Sequence, residues 1–382
     1  MPMKPFNILY LSSYGSLKGG GQESLFHLVT NLDKTAFRPY VCLPTEGSLT
    51  KKLRLHDIEV TVIGLPGIIN LKVQKNLKAF YSLLKLSTKY KIDLIHTDSP
   101  RNTFYAGLVA TIKRVPLVWH VRASNRDRYD RLLYYLSSKL ILVANSLRSR
   151  FDWVEKSHKF VTIYNGIDLT EFQTRKSTTP IRQQYGISEK SILITVIARI
   201  ERLKGQKYLI DACGMLKNTL KDFHILLVGE IVDLPYIKEC KDRAGELGIQ
   251  DRLTFIGYQN RVSQILNETG IFVLPSLFEA FPRSLIEAMG ASKPVVVTDV
   301  GGCAEAVEDH VSGFIIPVKD SKVLAARINI LATDNELRLK VGKAARKRAE
   351  RMFGIEQNVK ETQKLYREIL RENTHDIHGN KL

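Results

Sequence analysis

The stretch Phe278-Glu279-Ala280-Phe281-Pro282-Arg283-Ser284-Leu285-Ile286-Glu287 follows an apolar run at residues 271–276 that is typical of a buried parallel strand. Proline is favoured at the first position of a helix, so a helix is predicted to begin at Pro282. The amide groups of its first turn would then be able to face an anion. Glu279 lies on the loop before this helix, and Glu287 lies about a turn and a half into it. The segment therefore offers a phosphate cradle between two carboxylates, the combination that a nucleotide-sugar site requires.

Outward from this segment, short β-rich runs alternate with longer helical patterns along the whole chain. Such alternation is typical of a parallel sheet that is covered by helices on both faces, and the predicted fold class is therefore α/β. Strands are predicted near Asn7–Ser12, Tyr40–Leu43, Glu59–Ile63, Asp93–His96, Leu117–Val121, Leu140–Ala144, Phe160–Ile163, Ser191–Ala198, His224–Val228, Leu253–Ile256, Ile271–Leu274, Val295–Thr298 and Gly313–Ile316.

The length of 382 residues suggests two domains. The polar stretch Glu171–Arg182 is rich in Thr and Ser and separates the two sets of strands, so it is the predicted linker. We expect a Rossmann-like doubly wound domain over residues 1–170, a second over residues 171–354, and a C-terminal helix with a frayed tail over residues 355–382. Such domains bind ligands at the carboxyl ends of their strands. If those edges face each other, they enclose a central cleft.

The cysteine content and the apolar runs of the sequence indicate the cellular compartment of the protein. The four cysteines form no CxxC motif and no Cys/His cluster, which indicates a reduced compartment and no structural zinc. No apolar run reaches the roughly 18 residues of a membrane-spanning helix. The segment Met1–Phe6 enters a strand pattern without a signal-peptide core. We therefore expect a cytoplasmic protein.

The net charge of +18 is unevenly distributed. Residues 1–170 contain 25 Lys and Arg against 12 Asp and Glu, whereas the remainder contains 32 against 27. The first domain is thus expected to face something acidic, and nucleic acid, anionic lipid and a phosphorylated acceptor all fit the charge alone.

The segment Lys72–Lys91 is a predicted basic amphipathic helix with two interpretations. Its apolar stripe, opposite the lysines, comprises Val73, Leu77, Phe80 and Leu84. Either this stripe packs on the sheet while the lysines are solvated, or the helix lies on a membrane surface.

Glycines and cations follow the first strand of each domain. Gly19-Gly20-Gly21 precedes a predicted helix and allows a ligand to approach the backbone, although a flexible turn is an equal alternative. Arg199 and Lys204 stand five residues apart on a predicted strand-to-helix loop, with Gly205 opening the helix. Two cations so placed suit a diphosphate better than they suit a merely solvated loop.

Two further motifs end strands of the first domain. His120, in Trp119-His120-Val121-Arg122, is expected to project from a strand end, although a lone histidine is more often a core or capping residue. Asn165-Gly166-Ile167-Asp168 is a strong turn signal that a turn into the linker would explain by itself. No DxD, HExxH or CxxC motif occurs in the sequence, so no metal site is predicted.

Together, these motifs resemble glycosyltransferase family 4, whose members are retaining enzymes with the GT-B fold. The resemblance is ordered and spans nearly the whole chain. The matching segments are Gly20-Gly21-Gln22-Glu23 for the N-terminal glycine motif, Asn165–Asp168 for the NGxD motif, Arg199 with Lys204 for the phosphate-binding cations, Glu279 with Glu287 for the E-x7-E motif, and Gly301-Gly302 with Glu305 for the last glycine turn.

The resemblance implies a role for each residue. Arg199 and Lys204 would neutralise the diphosphate as it leaves, which replaces the help of a metal ion. Glu279 would hold hydroxyls of the transferred sugar, Glu287 would hydrogen-bond the ribose, and His120 would sit beside the sugar. The expected catalytic residues are thus His120, Glu279, Arg199 and Lys204, and the expected donor-binding residues are Gly20, Gly21, Arg199, Lys204, Glu279, Phe281, Arg283, Ser284 and Glu287.

The resemblance also implies the reaction. A hexose would pass, with retention and without a cofactor, from a nucleotide diphosphate sugar, most often UDP-linked, to a glycan or lipid-linked acceptor. Surface polysaccharide, lipopolysaccharide or glycolipid synthesis would be the setting, at the inner face of the cytoplasmic membrane. The first domain would bind the acceptor, and the C-terminal helix would cross back onto it.

One departure from the family pattern bears on donor binding. The family often has glycine where Ala280 and Pro282 stand. Pro282 has no amide hydrogen, so any contact that relatives make through that N–H must shift to Arg283 or Ser284.

Three alternative functions were considered for this sequence. A nucleotide-sugar epimerase on the same fold would release an isomerised sugar nucleotide without an acceptor. A phosphorylase would need a cofactor lysine, for which the sequence offers no persuasive motif. A nucleic-acid-binding protein fits the net charge of +18, but RRM, KH and zinc-finger signatures are lacking.

Overall fold

The structure is a computed structural model that describes residues 4–17, 19–67, 73–172 and 180–379, with only the helical backbone for residues 374–379. Lys72 and most of the predicted linker, residues 173–179, lie outside the described residues. The chain forms two compact units. The first unit comprises Met1–Gly166 with Ile355–Leu382, and the second comprises Ile167–Gly354.

The described strands are β1 (Phe6–Leu11), β2 (Phe37–Leu43), β3 (Glu59–Val62), β4 (Leu94–Thr97), β5 (Leu117–Val121), β6 (Lys139–Leu142), β7 (Phe160–Thr162), β8 (Ile192–Ile197), β9 (Phe223–Val228), β10 (Leu253–Phe255), β11 (Ile271–Leu274), β12 (Val295–Thr298) and β13 (Phe314–Ile316). All of their pairings are parallel.

The described α-helices are α1 (Gly20–Thr30), α2 (Ser48–Arg54), α3 (Val73–Lys89), α4 (Pro100–Lys113), α5 (Asp130–Leu136), α6 (Ile181–Tyr185), α7 (Gln206–Leu216), α8 (Leu234–Glu246), α9 (Val262–Glu268), α10 (Arg283–Gly290), α11 (Cys303–Ala306), α12 (Ser321–Thr333), α13 (Asn335–Met352) and α14 (Ile355–Gly379). Helix α14 belongs to the first unit, although it follows the whole of the second unit in sequence.

Each unit is a doubly wound sheet. The first has the strand order β3-β2-β1-β4-β5-β6-β7, and the second has β10-β9-β8-β11-β12-β13. In each sheet the chain winds outward from one central strand and then returns to that strand's other side. The two reversal points lie between β1 and β4 and between β8 and β11, and open α/β sheets bind ligands in the crevice at such points. The predicted α/β class with two Rossmann-like domains is therefore confirmed.

Burial of both sheet faces explains the continuous apolar runs of the strands. In β1, Ile8 and Tyr10 join a core that includes α1 and α14, whereas Leu9 and Leu11 join a core that includes α3 and α4. Successive side chains of a strand point to opposite faces, so a strand covered on both sides must be apolar throughout. The apolar runs of the second unit are explained in the same way.

Two local predictions were wrong by small shifts. Helix α10 begins at Arg283, and Pro282 is its N-cap in an extended conformation rather than its first helical residue. In α3 the side chains buried towards the sheet are those of Ala79, Leu83, Leu86 and Ser87, and two members of the predicted stripe, Val73 and Leu77, are 62% and 50% exposed. The face that packs on the sheet is therefore rotated from the predicted stripe, because small and polar residues contribute to it.

A buried ion pair in the first unit provides a test of the fold. Arg150 donates from Nε and NH2 to both carboxylate oxygens of Asp130, at 2.9 and 2.6 Å, and the side chains are only 2% and 6% exposed. We expect Asp130→Ala to lower the free energy of unfolding by about 3–5 kcal/mol, because it leaves a buried guanidinium without its counter-charge. Urea unfolding of the full chain measures this loss.

The matched control is Asp152→Ala, which removes the partner of Arg126 in an exposed pair. That change should cost no more than about 1 kcal/mol. Equal losses in the two variants would contradict the assignment of Asp130 to the stability of the first unit.

Candidate functional site

The reversal point of the second unit brings together the two loops that the sequence singles out. The loop after β8 contains Arg199 and a 3-10 turn, Arg202–Lys204. The loop after β11 contains Ser276 and Glu279. Because β8 and β11 are hydrogen-bonded neighbours in a parallel sheet, both loops leave the same edge of the sheet side by side.

A side-chain contact joins these loops. Lys204 donates from Nζ to Oε1 of Glu279 at 2.7 Å, and Ser276 donates from Oγ to the same oxygen at 2.8 Å. The side chains of Lys204 and Glu279 are 15% and 9% exposed, so the ion pair is largely shielded from water. In the described part of the chain both bonds fall on Oε1, which leaves Oε2 of Glu279 to accept hydrogen bonds from a ligand.

The backbone holds the same two loops together. The amide of Leu277 donates to the carbonyl of Leu203 at 2.8 Å. Gly205 has φ +65°, and a Cβ there would lie 2.0 Å from the carbonyl oxygen of Pro275. Gly301 has φ +49°, and a Cβ there would lie 1.9 Å from the carbonyl oxygen of Glu279. Both positions therefore need glycine, because backbones approach too closely for a side chain.

Arg199 is more open than Lys204. It pairs with Glu201 at 2.8 Å but is 58% exposed. It lines a cavity of about 640 Å³ together with Glu201, Arg202, Leu203, Val232, Asp233, Leu234 and Pro235. Arg202, at 57% exposure, shares the carboxylates of Glu239 and Asp233. The loop after β8 thus presents cations both within the shielded pair and on an open wall.

The first turn of α10 continues the site. Its N-cap, Pro282, makes no side-chain capping bond, and the first amide groups of a helix have no intrahelical partner. Arg283 and Glu287 lie one turn apart, with NH2 and Oε1 at 3.2 Å and side chains 10% and 14% exposed. Phe281 is 5% exposed and packs edge-on against Phe353, with ring centroids 5.5 Å apart.

A separate pocket of about 520 Å³ lies at the reversal point of the first unit. Its lining comes from the loops after β1, β4 and β5 and comprises Ser13, Tyr14, Gly21, Gln22, Asp98, Ser99, Pro100, Arg101, Arg122 and Asp127. Gly20 and Gly21 begin α1, and a Cβ on Gly21 would lie 3.7 Å from Cδ of Arg122.

Asp98 fixes one wall of this pocket. It accepts hydrogen bonds from the Ser12 hydroxyl at 2.5 Å and the Asn102 amide at 3.2 Å, while burial raises the pKa of its carboxyl. These bonds tie the loop after β1 to the start of α4.

His120 lies in a buried chain of polar groups in the first unit and is 3% exposed. Its Nδ1 is 3.2 Å from Nε2 of His96 and 3.2 Å from NH2 of Arg122. The NH1 group of Arg122 donates in turn to Oδ1 of Asn165 at 3.0 Å. The predicted turn at Asn165 therefore also carries a contact to the strand that holds His120.

The described residues were also compared with the requirements of a metal site and of a reactive thiol. Among the residues that it describes, no group of three His, Cys, Asp or Glu side chains is placed to hold a metal ion. Cys303, close to Glu279 and Lys204, is fully buried, and burial raises the pKa of its thiol well above the usual value. A thiolate at that position is therefore disfavoured.

The structure thus groups the predicted residues into separate clusters. Arg199, Lys204, Glu279 and Phe281 lie on two neighbouring loops of the second unit, and Arg283, Ser284 and Glu287 lie in the helix α10 that follows the second of these loops. Gly20, Gly21 and His120 lie in the first unit. Sequence reasoning missed His96 and Tyr366, which complete the chain around His120. Tyr366 is 270 residues from His96, and no local pattern could have indicated their contact.

Comparison with known protein families identifies relatives of the chain. The profile described as Glycosyl transferases group 1 matches residues 177–348, and the profile described as Glycosyltransferase Family 4 matches residues 18–171. The chain is 30% identical over 328 residues to the N,N'-diacetylbacillosaminyl-diphospho-undecaprenol alpha-1,3-N-acetylgalactosaminyltransferase of Campylobacter jejuni, a match that covers 80% of this chain and 85% of that protein.

Further relatives are more distant. The UDP-Gal:alpha-D-GlcNAc-diphosphoundecaprenol alpha-1,3-galactosyltransferase of Escherichia coli is 25% identical over 378 residues, covering 90% of this chain and 95% of that protein. Among solved structures, HepE of Anabaena in complex with UDP has a TM-score of 0.83 at 24% identity, covering 95% of this chain and all of that one. A glycosyltransferase from Rickettsia africae has a TM-score of 0.86 at 22% identity, covering 96% and 99%.

Proposed function

The chain belongs to glycosyltransferase family 4, and we propose that it transfers a hexose from a UDP-linked sugar to a glycan or lipid-linked acceptor, with retention and without a metal ion. Two of its relatives are named as transferases that act on sugars linked to diphosphoundecaprenol. The structure of HepE is a complex with UDP. The observation that carries the proposal is the shielded Lys204–Glu279 pair at the reversal point of the second unit.

The cations after β8 suit the leaving diphosphate. Negative charge grows on this group as its bond to the sugar breaks, and fixed cations that are shielded from water stabilise such charge strongly. Lys204 is held by Glu279, which Ser276 holds in turn, so its ammonium group need not be reorganised when a ligand binds. Arg199 is exposed enough to close on the phosphate.

The two carboxylates suit binding rather than proton transfer. Glu279 is fixed through Oε1 and offers Oε2 to hydroxyls of the transferred sugar. Glu287 is held by Arg283 within the first turns of α10, where it would accept hydrogen bonds from the ribose. The acceptor would attack from the face that the diphosphate leaves, through a short-lived oxocarbenium-like state, so that no protein nucleophile is needed.

A groove of the first unit suits a membrane surface. This α3–α4 groove has a volume of about 550 Å³ and is lined by Val73, Asn76, Leu77, Phe80, Phe104, Tyr105, Leu108, Thr111, Ile112 and Leu136. Leu77 and Ile112 are 50% and 59% exposed, which is unusual for clustered apolar side chains. In the part of the chain that the structure describes, no helix is long and apolar enough to cross a membrane.

Charge indicates which partner covers the groove. Helix α3 contains Lys75, Lys78, Lys85 and Lys89, all exposed, and no acidic residue. An apolar helix face with basic side chains on the opposite face matches an anionic lipid surface, where hydrocarbon meets negative headgroups. We therefore assign the groove to the hydrocarbon boundary of an anionic bilayer, which would bring the enzyme to a lipid-linked acceptor.

Loss of the cations should impair transfer. We expect Lys204→Ala and Arg199→Ala each to lower turnover by about 10²–10³-fold, because each removes charge that stabilises the leaving diphosphate. Turnover is measured as UDP release with a panel of UDP-sugars and a lipid-linked acceptor, with product analysis to exclude epimerisation. The control is Lys207→Ala, which removes a nearby ammonium group that pairs with Glu239 instead. Near-normal turnover in both site variants would overturn the phosphate assignment.

Calorimetry with UDP alone should distinguish the roles of Glu287 and Glu279. Glu287→Gln should weaken UDP binding about tenfold, as expected for one hydrogen bond to a charged group. Glu279→Gln should leave UDP affinity nearly unchanged while it lowers sugar transfer. Indistinguishable UDP affinities in the two variants would refute this division of roles.

The groove is tested with lipid vesicles. The full chain should bind vesicles with anionic headgroups more tightly than neutral ones. The double change Lys75→Gln and Lys78→Gln should weaken this binding on the order of 30-fold, at about 1 kcal/mol per lysine. Replacement of Lys343 and Lys347, exposed on α13 of the second unit, is the control. Equal, weak binding to both kinds of vesicle would eliminate the membrane assignment.

A further inference from the structure

The loop after β8 that contains both cations is closed by a side chain from α7. Gln206 is the first residue of α7, and its Nε2 donates to the backbone carbonyl of Arg199 at 2.8 Å. This bond joins the two ends of a short segment that also contains Lys204. Gln206 is fully buried, whereas the other buried residues of α7 are apolar and comprise Leu209, Ile210, Ala212, Cys213, Gly214 and Leu216. A buried carboxamide in this setting needs a reason.

The carbonyl of Arg199 needs a side-chain donor because strand pairing does not supply one. Past the end of β8, the amides of Ala198 and Ile200 donate to carbonyls at and just beyond the end of β9, at 2.9 and 2.8 Å. Backbone groups of successive residues in an extended chain point to opposite sides, so the carbonyl of Arg199 faces away from β9. On that side the register of β8 with β11 ends at Thr195. The carboxamide of Gln206 therefore takes the place of a strand partner.

The orientation of the Gln206 carboxamide follows from its partner. A backbone carbonyl can only accept, so the nitrogen end of the carboxamide must face Arg199. The oxygen, Oε1, is buried and finds no hydrogen-bond donor among the residues that the structure describes. A buried acceptor without a partner is unfavourable, and an apolar side chain of similar size would avoid that penalty. The property that glutamine adds at this position is therefore its N–H donor.

Arg199 depends on the position of its backbone more than Lys204 does. The guanidinium of Arg199 pairs with Glu201 at 2.8 Å and is 58% exposed, so most of this side chain faces solvent. The ammonium group of Lys204 is held directly by Glu279 at 2.7 Å. A displacement of about 1 Å in a group that stabilises a transition state can lower the rate by about 10²-fold. A bond that fixes the backbone of Arg199 therefore bears on catalysis.

We propose that Gln206 is a positioning residue, which fixes the backbone from which Arg199 contacts the diphosphate of the donor. This rests on the proposed function, which supplies the diphosphate. Gln206 acts through Arg199 and does not itself contact the ligand. Because α7 packs into the core of the second unit, the bond from Gln206 connects that core to the loop that holds the cations.

Closure of the loop can be measured without any ligand. Gln206→Met keeps a similar volume but has no N–H donor. In amide hydrogen exchange of the full chain, followed by mass spectrometry, this change should speed exchange in peptides that cover residues 199–205 by about tenfold, because their local opening becomes easier. Peptides from the strands β8 and β9 should exchange as in the unmodified chain.

The matched control is Lys293→Met. It removes another side-chain donor to a backbone carbonyl, that of Asn267 at 2.9 Å, at the opposite edge of the same sheet, where β12 begins. Exchange in residues 199–205 should be unchanged by this substitution. A general loosening of the second unit would instead give the same response in both variants.

UDP and uridine distinguish an effect on the diphosphate from an effect on the whole site. Gln206→Met should weaken UDP binding about fivefold in calorimetry and lower turnover about tenfold. Uridine has no phosphate, so it should bind the variant and the unmodified chain alike in an NMR titration. A second variant, Gln206→Glu, keeps the shape but replaces the N–H donor with an acceptor, and it should lower turnover at least as much as Gln206→Met.

A double-mutant cycle identifies the residue through which Gln206 acts. In the Arg199→Ala background, Gln206→Met should lower turnover by a further factor of less than about two, because the group that it positions is already gone. In the Glu287→Gln background the loss of about tenfold should persist, since Glu287 lies on α10 and not on the loop after β8. A merely structural role would give equal losses in the two backgrounds.

Three results would overturn the proposal. These are unchanged exchange of residues 199–205 in Gln206→Met, equal weakening of uridine and UDP binding, or equal losses of turnover in the Arg199→Ala and Glu287→Gln backgrounds. If exchange responds as described but the unmodified chain neither binds UDP nor turns over a UDP-sugar, the proposed function fails while the closure of the loop by Gln206 is upheld.

Discussion

The hydrogen bond from Lys204 to Glu279 is the contact on which the candidate donor site depends. It joins residues 75 positions apart in sequence, and it forms because β8 and β11 are neighbours in the sheet. Both side chains are largely buried, and the loss of one partner from a buried pair costs about 3–5 kcal/mol because the other charge is left exposed to a low dielectric. The hydrogen bond from Leu277 to Leu203 and the close backbone approaches at Gly205 and Gly301 also hold the loop after β11 in position. Stability and ligand chemistry are therefore set by the same few atoms.

The two units use the same topology for different chemistry. In the second unit, cations and carboxylates lie at the reversal of strand order. In the first unit, the N-terminus of α1, Asp98 and Arg122 line a pocket of about 520 Å³ at the corresponding place. Arg122 connects this pocket to the buried chain that ends on α14. The first unit therefore contains a pocket with one wall residue, Arg122, that is also bonded to the buried His120. The α3–α4 groove lies between two helices of the same unit and adds an exposed apolar surface to a helix that also carries exposed lysines.

Much of the fold and part of the site could be predicted from the sequence. The thirteen strands in the described part of the chain were predicted close to their observed positions, because runs such as Ile271–Leu274 are apolar throughout and lie between turn signals. Arg199, Lys204 and Glu279 could be singled out because each lies on a loop after a strand, and Glu287 because it lies in the helix after such a loop. The face of α3 could not be predicted, since Ala79 and Ser87 are buried while Val73 is exposed. The apolar pattern of a helix indicates which of its residues are hydrophobic, but it does not indicate which neighbouring elements pack against each face of the helix.

The sequence by itself determined the class of the fold, the family, and the residue types that each loop presents. These properties depend on local pattern: strand, turn and helix signals act over a few residues, and the motifs stand in order. Only the tertiary structure decided which loops meet, that Lys204 is paired with Glu279, and that His120 is locked between His96 and Arg122 with Tyr366 behind them. Contacts over 75 and 270 residues follow from strand order and from the docking of α14 on the first unit, and no local sequence signal carries that information.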